Sequence, residues 1–492
     1  MTVTVTTPLA HRSDATLHPD PSRVIARLFL PGEELPYGNS RSSAVVARVL
    51  ALSDADVETA AARVLADFSG RHKDFAHILA DHASTISSHL QTAVQMSPDR
   101  AMLMGASFTA EYALEGAALC NPSAVAHPDQ TGLSPGELRV VVSLRAIGEG
   151  HLSSLGFCSA VIGPGTVWRF EPRAHPAATG TVAPTHWRAE HLRSVLTDQG
   201  RINGLAHSVL ATLPDTFTGA RLETALAEAH HDLLARPGSA ATVDLLRRLV
   251  ASAYEVVFDA DVSLSQQVLL PAAPDESNGM EDARFVRFVD DTGAVDYRAT
   301  YTAYDGRKIA SRLLTSSDLK AFRAHRLAGP AARNKGMALF PRKVGGRYLS
   351  LSRSDGESNC LATSDDGFVW GKPALLQAPK LDWEVLQVGN CGPPIETDRG
   401  WLVLTHGVGP MRTYTIGAIL LDLENPARVI GRLGTPLLRG TPGERDGYVP
   451  NVVYSCGGIV YEGRLWLPYG VGDARIGVCW VDVDELLAAM LS

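Results

Sequence analysis

VDYRATYTAYDG, residues 295 to 306, alternates like a half-buried strand and then closes on Tyr304, Asp305 and Gly306. Alternation buries one face of a strand, and the closing Asp-Gly lets the chain turn sharply and present a carboxylate. The same pattern, a polar or glycine turn feeding an alternating strand that ends on polar groups, recurs four more times. It is found in ELRVVVSLRAIGEGH from Glu137, GRYLSLSRSDGES from Gly346, GWLVLTHGVG from Gly400 and GRLWLPYGVGD from Gly463. The starts at 295, 346, 400 and 463 lie 51, 54 and 63 residues apart, close to the ~50-residue period of propeller blades. The first gap, 158 residues, is about two periods too long. A block at 186–253 fills the excess and reads as helices, for example LETALAEAHHDLLAR, as an insertion in one blade loop would. Five repeats around an axis predict a mainly β fold, a five-bladed β-propeller with a helical insertion in its first blade.

The chain ahead of the repeats reads differently. Ser53 with Asp56 three residues on has the form of a capped helix start, followed by apolar Val57, Ala61, Val64, Leu65 and Phe68 at helical spacing. A second stripe runs through Phe75, Ile78, Leu79 and Ile86. Stripes of this spacing are packing faces rather than cofactor boxes. The predicted organisation is a tail and helical extension over 1–100, its first ~20 residues loose, and the propeller domain over 101–492. His230 and His231 are adjacent, so they cannot share one helix face as a metal pair would.

At 492 residues the chain exceeds the length at which one core stops growing, and 45% hydrophobic with 20% charged residues is ordinary for a globular protein. A net charge of −8 gives no field favouring nucleic acid or anionic membrane. Six cysteines, Cys120, Cys158, Cys360, Cys391, Cys456 and Cys479, are scattered singly without zinc spacing and read as reduced thiols of a cytoplasmic protein. No basic segment leading into an apolar run opens the chain, and no run is long enough to span a bilayer. The histidines lack HxxxH or HExxH spacing, so neither a metal nor another cofactor is expected.

In a propeller the ends of the inner strands meet at one mouth of the central channel. Arg145, Glu149, His151, Tyr304, Asp305, Arg353, His406, Tyr469 and Asp473 are then expected to converge on one polar pocket.

Seven motifs follow in order: NPS at 121–123, MEDAR at 280–284, TAYDG at 302–306, NKGMALFPRK at 334–343, WEVLQVGNCGPP at 383–394, LTHGV at 404–408 and VPNVVY at 449–454. Together they resemble glycoside hydrolase family 130, the β-mannoside phosphorylases and β-1,2-mannosidases, over roughly 115–165 and 275–490. The resemblance implies cleavage of β-mannosidic bonds with inversion, on β-1,2-linked manno-oligosaccharides, by phosphorolysis to mannose 1-phosphate. Hydrolysis by the same site is the alternative, with mannosyl transfer from the sugar phosphate as the reverse reaction. A glycan-binding propeller without turnover is a third reading.

By that resemblance Asp305 is the general acid, donating directly or through a sugar hydroxyl. An Asp-Gly pair also simply closes a hairpin. Asn121, Ser123, Arg145 and Asp473 match sugar contacts. Asp282 and Arg284, with Glu281, are equally suited to the sugar or to a structural ion pair. Tyr304 and His406 complete the expected pocket. Lys335, Arg353 and Tyr414 match a site for inorganic phosphate, the co-substrate. Gly336 and Gln387 depart from the phosphorylase pattern, Gln387 standing where many carry lysine. An inverting hydrolase needs a second carboxylate to activate water, which Asp355 or Glu357 could supply. The expected partner is an oligosaccharide. The added helices either shape the acceptor region or form a homo-oligomer interface.

Overall fold

The computed structural model describes residues 8–32, 40–89 and 95–492. They divide into two units, 20–116 with 174–179, and a larger one of 8–19, 117–173 and 180–492.

In the smaller unit, strands Val24–Leu28 and Thr109–Ala113 pair antiparallel, with helices Arg41–Ala51, Asp54–Phe68, Phe75–His89 and Pro98–Ser107. Three helices start on serine caps, Ser40, Ser53 and Ser97, each accepting the amide of the third residue on. The Ser53–Asp56 start read from sequence is among them, the serine hydroxyl also donating to Asp56 Oδ2 at 2.6 Å. Gly105 allows the last helix to cross Phe75–His89: a Cβ there would lie 1.9 Å from the Leu79 carbonyl oxygen.

The larger unit is a succession of antiparallel sheets. Ala118–Ala126, Leu138–Ile147, Ser153–Gly163 and Val167–Phe170 pair in sequence order. Gly279–Val289, Val295–Tyr304, Ile309–Ser316 and Ala321–Arg326 do the same, and Gly279 bridges to Ser153 to join the two sets. A third set runs Ala338–Leu339, Tyr348–Ser352, Asn359–Ser364, Ala374–Gln377. The fourth is Gln387–Asn390, Gly400–Val408, Tyr414–Leu421, Val429–Arg432. The fifth is Val453–Tyr454, Arg464–Val471, Arg475–Asp482. All five segments singled out from sequence are strands, and each is the second strand of its set.

The described part of the expected loose tail, residues 8–20, is not loose. His11–Leu17 pairs with Arg475–Asp482 as the outer strand of the fifth set, and residues 1–7 lie outside the described residues. HRSDATL carries no apolar alternation because it is an edge strand held by backbone pairing, with His11 stacked on Trp480 at 4.3 Å.

Apolar clusters link the sets in turn. Leu339, Ala362 and Trp370 pack with Val286 and Leu313. Leu349 and Leu361 pack with Trp401 and Ile419. Leu404 and Ile416 pack with Leu465 and Val481. Trp466 and Val478 of the fifth set pack with Val140 and Ala160 of the first. Phe157 of the first stacks on Phe322 of the second and meets Phe285 edge to face.

Between the first and second sets lie helices Ala189–Asp198, Gly204–Thr212, Gly219–Ala227 and Ser239–Ala251 around their own core of Leu192, Leu196, Val209, Leu222 and Leu246. Their flanking strands, Thr181–Pro184 and Tyr254–Val257, pair with each other and extend the second set beyond Ala321–Arg326. His230 and His231 are exposed, as their adjacency implied.

Candidate active site

The pairing register sets where polar groups gather. In the first set Arg145, near the end of its strand, faces Cys120, and the register shifts between Cys120 and Ser123. In the second set it shifts between Glu281 and Arg284. The residues in these two irregularities, Asn121 and Asp282, have φ of 50° and 56°, a conformation in which asparagine and aspartate are among the better tolerated residues. Both side chains line one cavity of about 300 Å3, and the Asn121 amide donates to Asp282 Oδ1.

Arg145 binds the same carboxylates, donating to Glu281 Oε1 at 2.7 Å and Asp282 Oδ1 at 3.3 Å, with its Nε on Ser153. Lys335 Nζ approaches Glu281 Oε2 at 3.6 Å. Burial alone would raise the Asp282 carboxyl, but Arg145, Arg284, Lys335 and the Asn121 bond outweigh it and hold Asp282 below the usual range. Asp473 enters from the fifth set at φ 47°. Burial pushes its carboxyl up to about 6, Asp282 adding to the rise while Arg145 opposes it.

The opposite wall comes from the third and fourth sets. His406 Nδ1 is 3.0 Å from the Asn390 carbonyl oxygen, so it donates there and leaves Nε2 to accept from Arg353 Nη1 at 3.1 Å. Burial, then the Arg353 charge, lowers His406 to about 3, so the ring is neutral. Tyr414 stacks beside it, with centroids 6.0 Å apart. Gly389 keeps this wall close: a Cβ would stand 2.7 Å from His406 Cε1 and 3.1 Å from Arg353 Cδ. Gln387, Arg412 and Tyr454 complete the lining. Arg353 and Arg412 have no carboxylate partner within ion-pair distance among the described residues. Buried Asn121 Oδ1, Asp473 Oδ1 and Arg353 Nε find no protein partner there either. Such atoms suit a ligand rich in hydroxyl and anionic oxygens.

Of the residues singled out from sequence, Asn121, Arg145, Asp282, Lys335, Arg353, His406, Tyr414 and Asp473 come together here. Ser123 is buried behind them and accepts the Phe285 amide. Buried Arg284 supports Tyr454 with a 2.7 Å hydrogen bond to its hydroxyl. Tyr469 binds Glu444 in the fifth set, and His151 pairs with Tyr448. Asp355 Oδ1 accepts the amides of Glu357 and Ser358 in a turn, and neither Asp355 nor Glu357 lines the cavity.

Asp305 lines a different cavity, of about 400 Å3, bordered by Asp275, Lys308, Arg326 and, from the helical block, Gln199, Arg201 and Arg248. The register explains this: Thr302 pairs with Glu281 and Tyr304 with Gly279, so Asp305 lies roughly 10 Å further along the strand direction. Its Oδ1 accepts the amides of Arg307 at 2.9 Å and Lys308 at 2.6 Å. Burial favours the protonated form, but these two bonds and the neighbouring cations prevail and hold the carboxyl below its ordinary value. Tyr304 donates to the Gly306 carbonyl and braces the same turn.

Arg412 and Tyr454 went unassigned in sequence, while Glu281 was weighed only as a sugar contact or an ion-pair member alongside Asp282 and Arg284. Glu281 and Tyr454 stand inside motifs quoted above, whereas Arg412 sits at φ 52° in the turn before Tyr414, with no motif to mark it. Among the described residues no cluster of three or more His, Cys, Asp or Glu could hold a metal ion.

The larger unit is thus a series of antiparallel sheets carrying a pocket of paired carboxylates, an amide and guanidinium groups without carboxylate partners, chemistry suited to hydroxyl and anionic oxygens. A family model described as beta-1,4-mannooligosaccharide phosphorylase, that of glycoside hydrolase family 130, matches residues 261–491. The 1,2-beta-oligomannan phosphorylase of Thermoanaerobacter sp. (strain X514) is 35% identical over 229 residues, 45% of this chain and 75% of that relative. A beta-1,2-mannobiose phosphorylase of Listeria innocua is 31% identical over 44% of this chain and 62% of its own length. Among solved structures, the Listeria innocua beta-1,2-mannobiose phosphorylase with beta-1,2-mannobiose is 21% identical, covering 77% of this chain and 93% of that one with a TM-score of 0.46. The chain belongs to glycoside hydrolase family 130.

Proposed function

We propose that the protein is an inverting β-mannoside phosphorylase acting on β-1,2-linked manno-oligosaccharides, releasing mannose 1-phosphate. The observation that carries this reading is the pairing, in one cavity, of a sugar-type wall (Asn121, Arg145, Asp282, Asp473) with a facing wall whose Arg353 and Arg412 have no carboxylate partner. An amide and carboxylates can each engage two sugar hydroxyls. Unpaired guanidinium groups suit a phosphate dianion. The five linked sheets, the last packing on the first, support a five-bladed β-propeller, with the cavity at one mouth of its axis.

In this reading phosphate, held by Lys335, Arg353, Arg412 and Tyr414, attacks the anomeric carbon on the face opposite the leaving oxygen. The glycosidic bond breaks as the new C–O bond forms, and Asp305 supplies the proton to the leaving oxygen, directly or through a sugar hydroxyl. Phosphate is itself the nucleophile, so no general base is required. An ionised Asp305 cannot donate, so the bound glycan must exclude water from its free oxygen and raise its pKa. Hydrolysis would need a water-activating carboxylate: Asp355 and Glu357 stand outside the cavity, Glu281 and Asp282 inside it are engaged by Arg145 and Lys335, and Asp473 stands on the sugar wall. All six cysteines are buried and free, which supports a reducing, cytoplasmic setting, and no described helix is long and apolar enough to cross a membrane.

Incubation with β-1,2-mannobiose, with and without inorganic phosphate, tests the proposal. Phosphate-dependent mannose 1-phosphate is expected. Free mannose released at the same rate without phosphate would replace phosphorolysis by hydrolysis, and no turnover at all would leave a glycan binder.

A further inference from the structure

The helical block lies outside the residues matched by the family model, yet it builds one wall of the cavity that Asp305 lines. A proton donor must stand within hydrogen-bond reach of the leaving oxygen or of one relaying group. Under the phosphorylase reading, the departing sugar therefore occupies this cavity.

Its lining carries four cations, Arg201, Arg248, Lys308 and Arg326, against the two carboxylates of Asp275 and Asp305. Arg201 follows the end of helix Ala189–Asp198, Arg248 projects from Ser239–Ala251, and Lys308 closes the Asp305 turn. None of the three lies in an ion pair among the described residues, whereas Arg326 is neutralised by Asp275 at 2.9 Å. Lys308 is rooted next to the acid, its own amide bound to Asp305 Oδ1 at 2.6 Å. Leu245, Leu249 and Ile309 supply apolar surface for a ring face. The same three cations also border an adjoining cavity of about 410 Å3. With Arg326 paired to Asp275, three cations face the single Asp305 carboxylate, an excess of positive charge that a bound anion would offset, and guanidinium forks match phosphate and carboxylate.

We infer that the leaving-group sugar recognised by this protein carries an anionic substituent, a phosphate or a carboxylate, bound by Arg201, Arg248 and Lys308. This rests on the phosphorylase reading for the placement of the leaving sugar, and not for the presence of the anion site.

The test compares three substrates under one assay of released mannose and mannose 1-phosphate: β-1,2-mannobiose, its derivative phosphorylated on the reducing unit, and β-mannosyl-mannuronate. At least one anionic substrate is expected to show kcat/KM about tenfold or more above the neutral one, equivalent to one charge-assisted contact. Arg201→Gln with Arg248→Gln should compress that ratio by about tenfold, and Lys308→Gln, an independent exposed variant, should move it the same way. A ratio at or below one in the parent protein, or a ratio unmoved by both variants, overturns the inference. Turnover of neutral mannobiose with no charge preference sinks this inference alone and leaves the catalytic reading standing. Should no substrate be cleaved, the catalytic reading fails and calorimetry with mannose 6-phosphate decides the anion site. Saturable binding that the double variant loses upholds it, and no binding to the parent protein overturns it.

Discussion

Replacing Arg353 with methionine keeps most of the side-chain volume and removes the charge. In the parent protein Nη1 donates to His406 Nε2 at 3.1 Å, and Nε has no protein partner. A phosphate bound at this wall gains a charge-assisted contact, and losing one costs about 1.5–3 kcal/mol, roughly a ten- to hundredfold change in affinity. The histidine must be followed too. Arg353 is the second cause, after burial, of its depression to about 3. Removing that charge lifts His406, but burial remains the larger cause, so the ring stays neutral at pH 7 and no new cation substitutes for the lost one. The assay is the phosphate dependence of mannose 1-phosphate release at saturating mannobiose, with Arg353→Lys as the charge-conserving control. The expected result is a phosphate KM raised about tenfold or more, with partial recovery in the lysine variant and a mannobiose KM that changes much less. An unchanged phosphate KM, or a mannobiose KM that rises equally, would refute the assignment of this wall to phosphate.

Three further outcomes are expected. Asp305→Asn should lower kcat on mannobiose by about 10²–10⁴ while titration with mannobiose still shows binding; full turnover would remove the acid from this turn. Gly389→Ala forces a methyl within 3.1 Å of both His406 and Arg353, and should cost about 1–3 kcal/mol in urea unfolding, together with a weakened phosphate response. Asp473 is protonated in the fold up to about pH 6, against about 4 in an unfolded chain. Its stabilising proton uptake is therefore complete below pH 4 and lost as pH rises through 6. Asp473→Asn should accordingly be more stable than the parent protein by about 2–3 kcal/mol at pH 8, with the gap closing between pH 6 and 4. A gap independent of pH would show that the carboxylate is not held against burial.

The strands were legible because alternation and glycine turns repeat at near-constant spacing: Val295–Tyr304, Gly400–Val408 and Arg464–Val471 match the quoted segments almost residue for residue. The site was less so. Asn121 and Asp282 reach the cavity only because the ladders shift register beside them, and alternation does not reveal where a strand gains an extra residue. Sequence motifs marked both residues without saying why they point inward. Ser123 and Arg284 share those motifs and turn to structural work behind the pocket. His11–Leu17 was invisible for a different reason: an edge strand needs backbone partners and little apolar pattern, and its partner lies more than 450 residues away.

Register also accounts for the separation between Asp305 and the sugar wall. Arg145 lies level with the irregularity that holds Asn121, two residues before its strand ends at Ile147, and Thr302 lies level with the irregularity that holds Asp282, so Asp305 follows three residues further on, in the turn after Tyr304. Asp305 therefore stands beyond the level of Arg145 and Asp282, in the cavity that the helical block also lines. Under the proposed mechanism a donor at this level protonates from the leaving-group side while the cations opposite Asn121 and Asp282 hold the nucleophile. Displacement with inversion requires these two functions on opposite faces of the sugar ring. A helical block placed against the outer of the two cavities can then alter the departing sugar without disturbing the inner cavity. Under that mechanism the split into two cavities separates what is bound for attack from what is chosen for release.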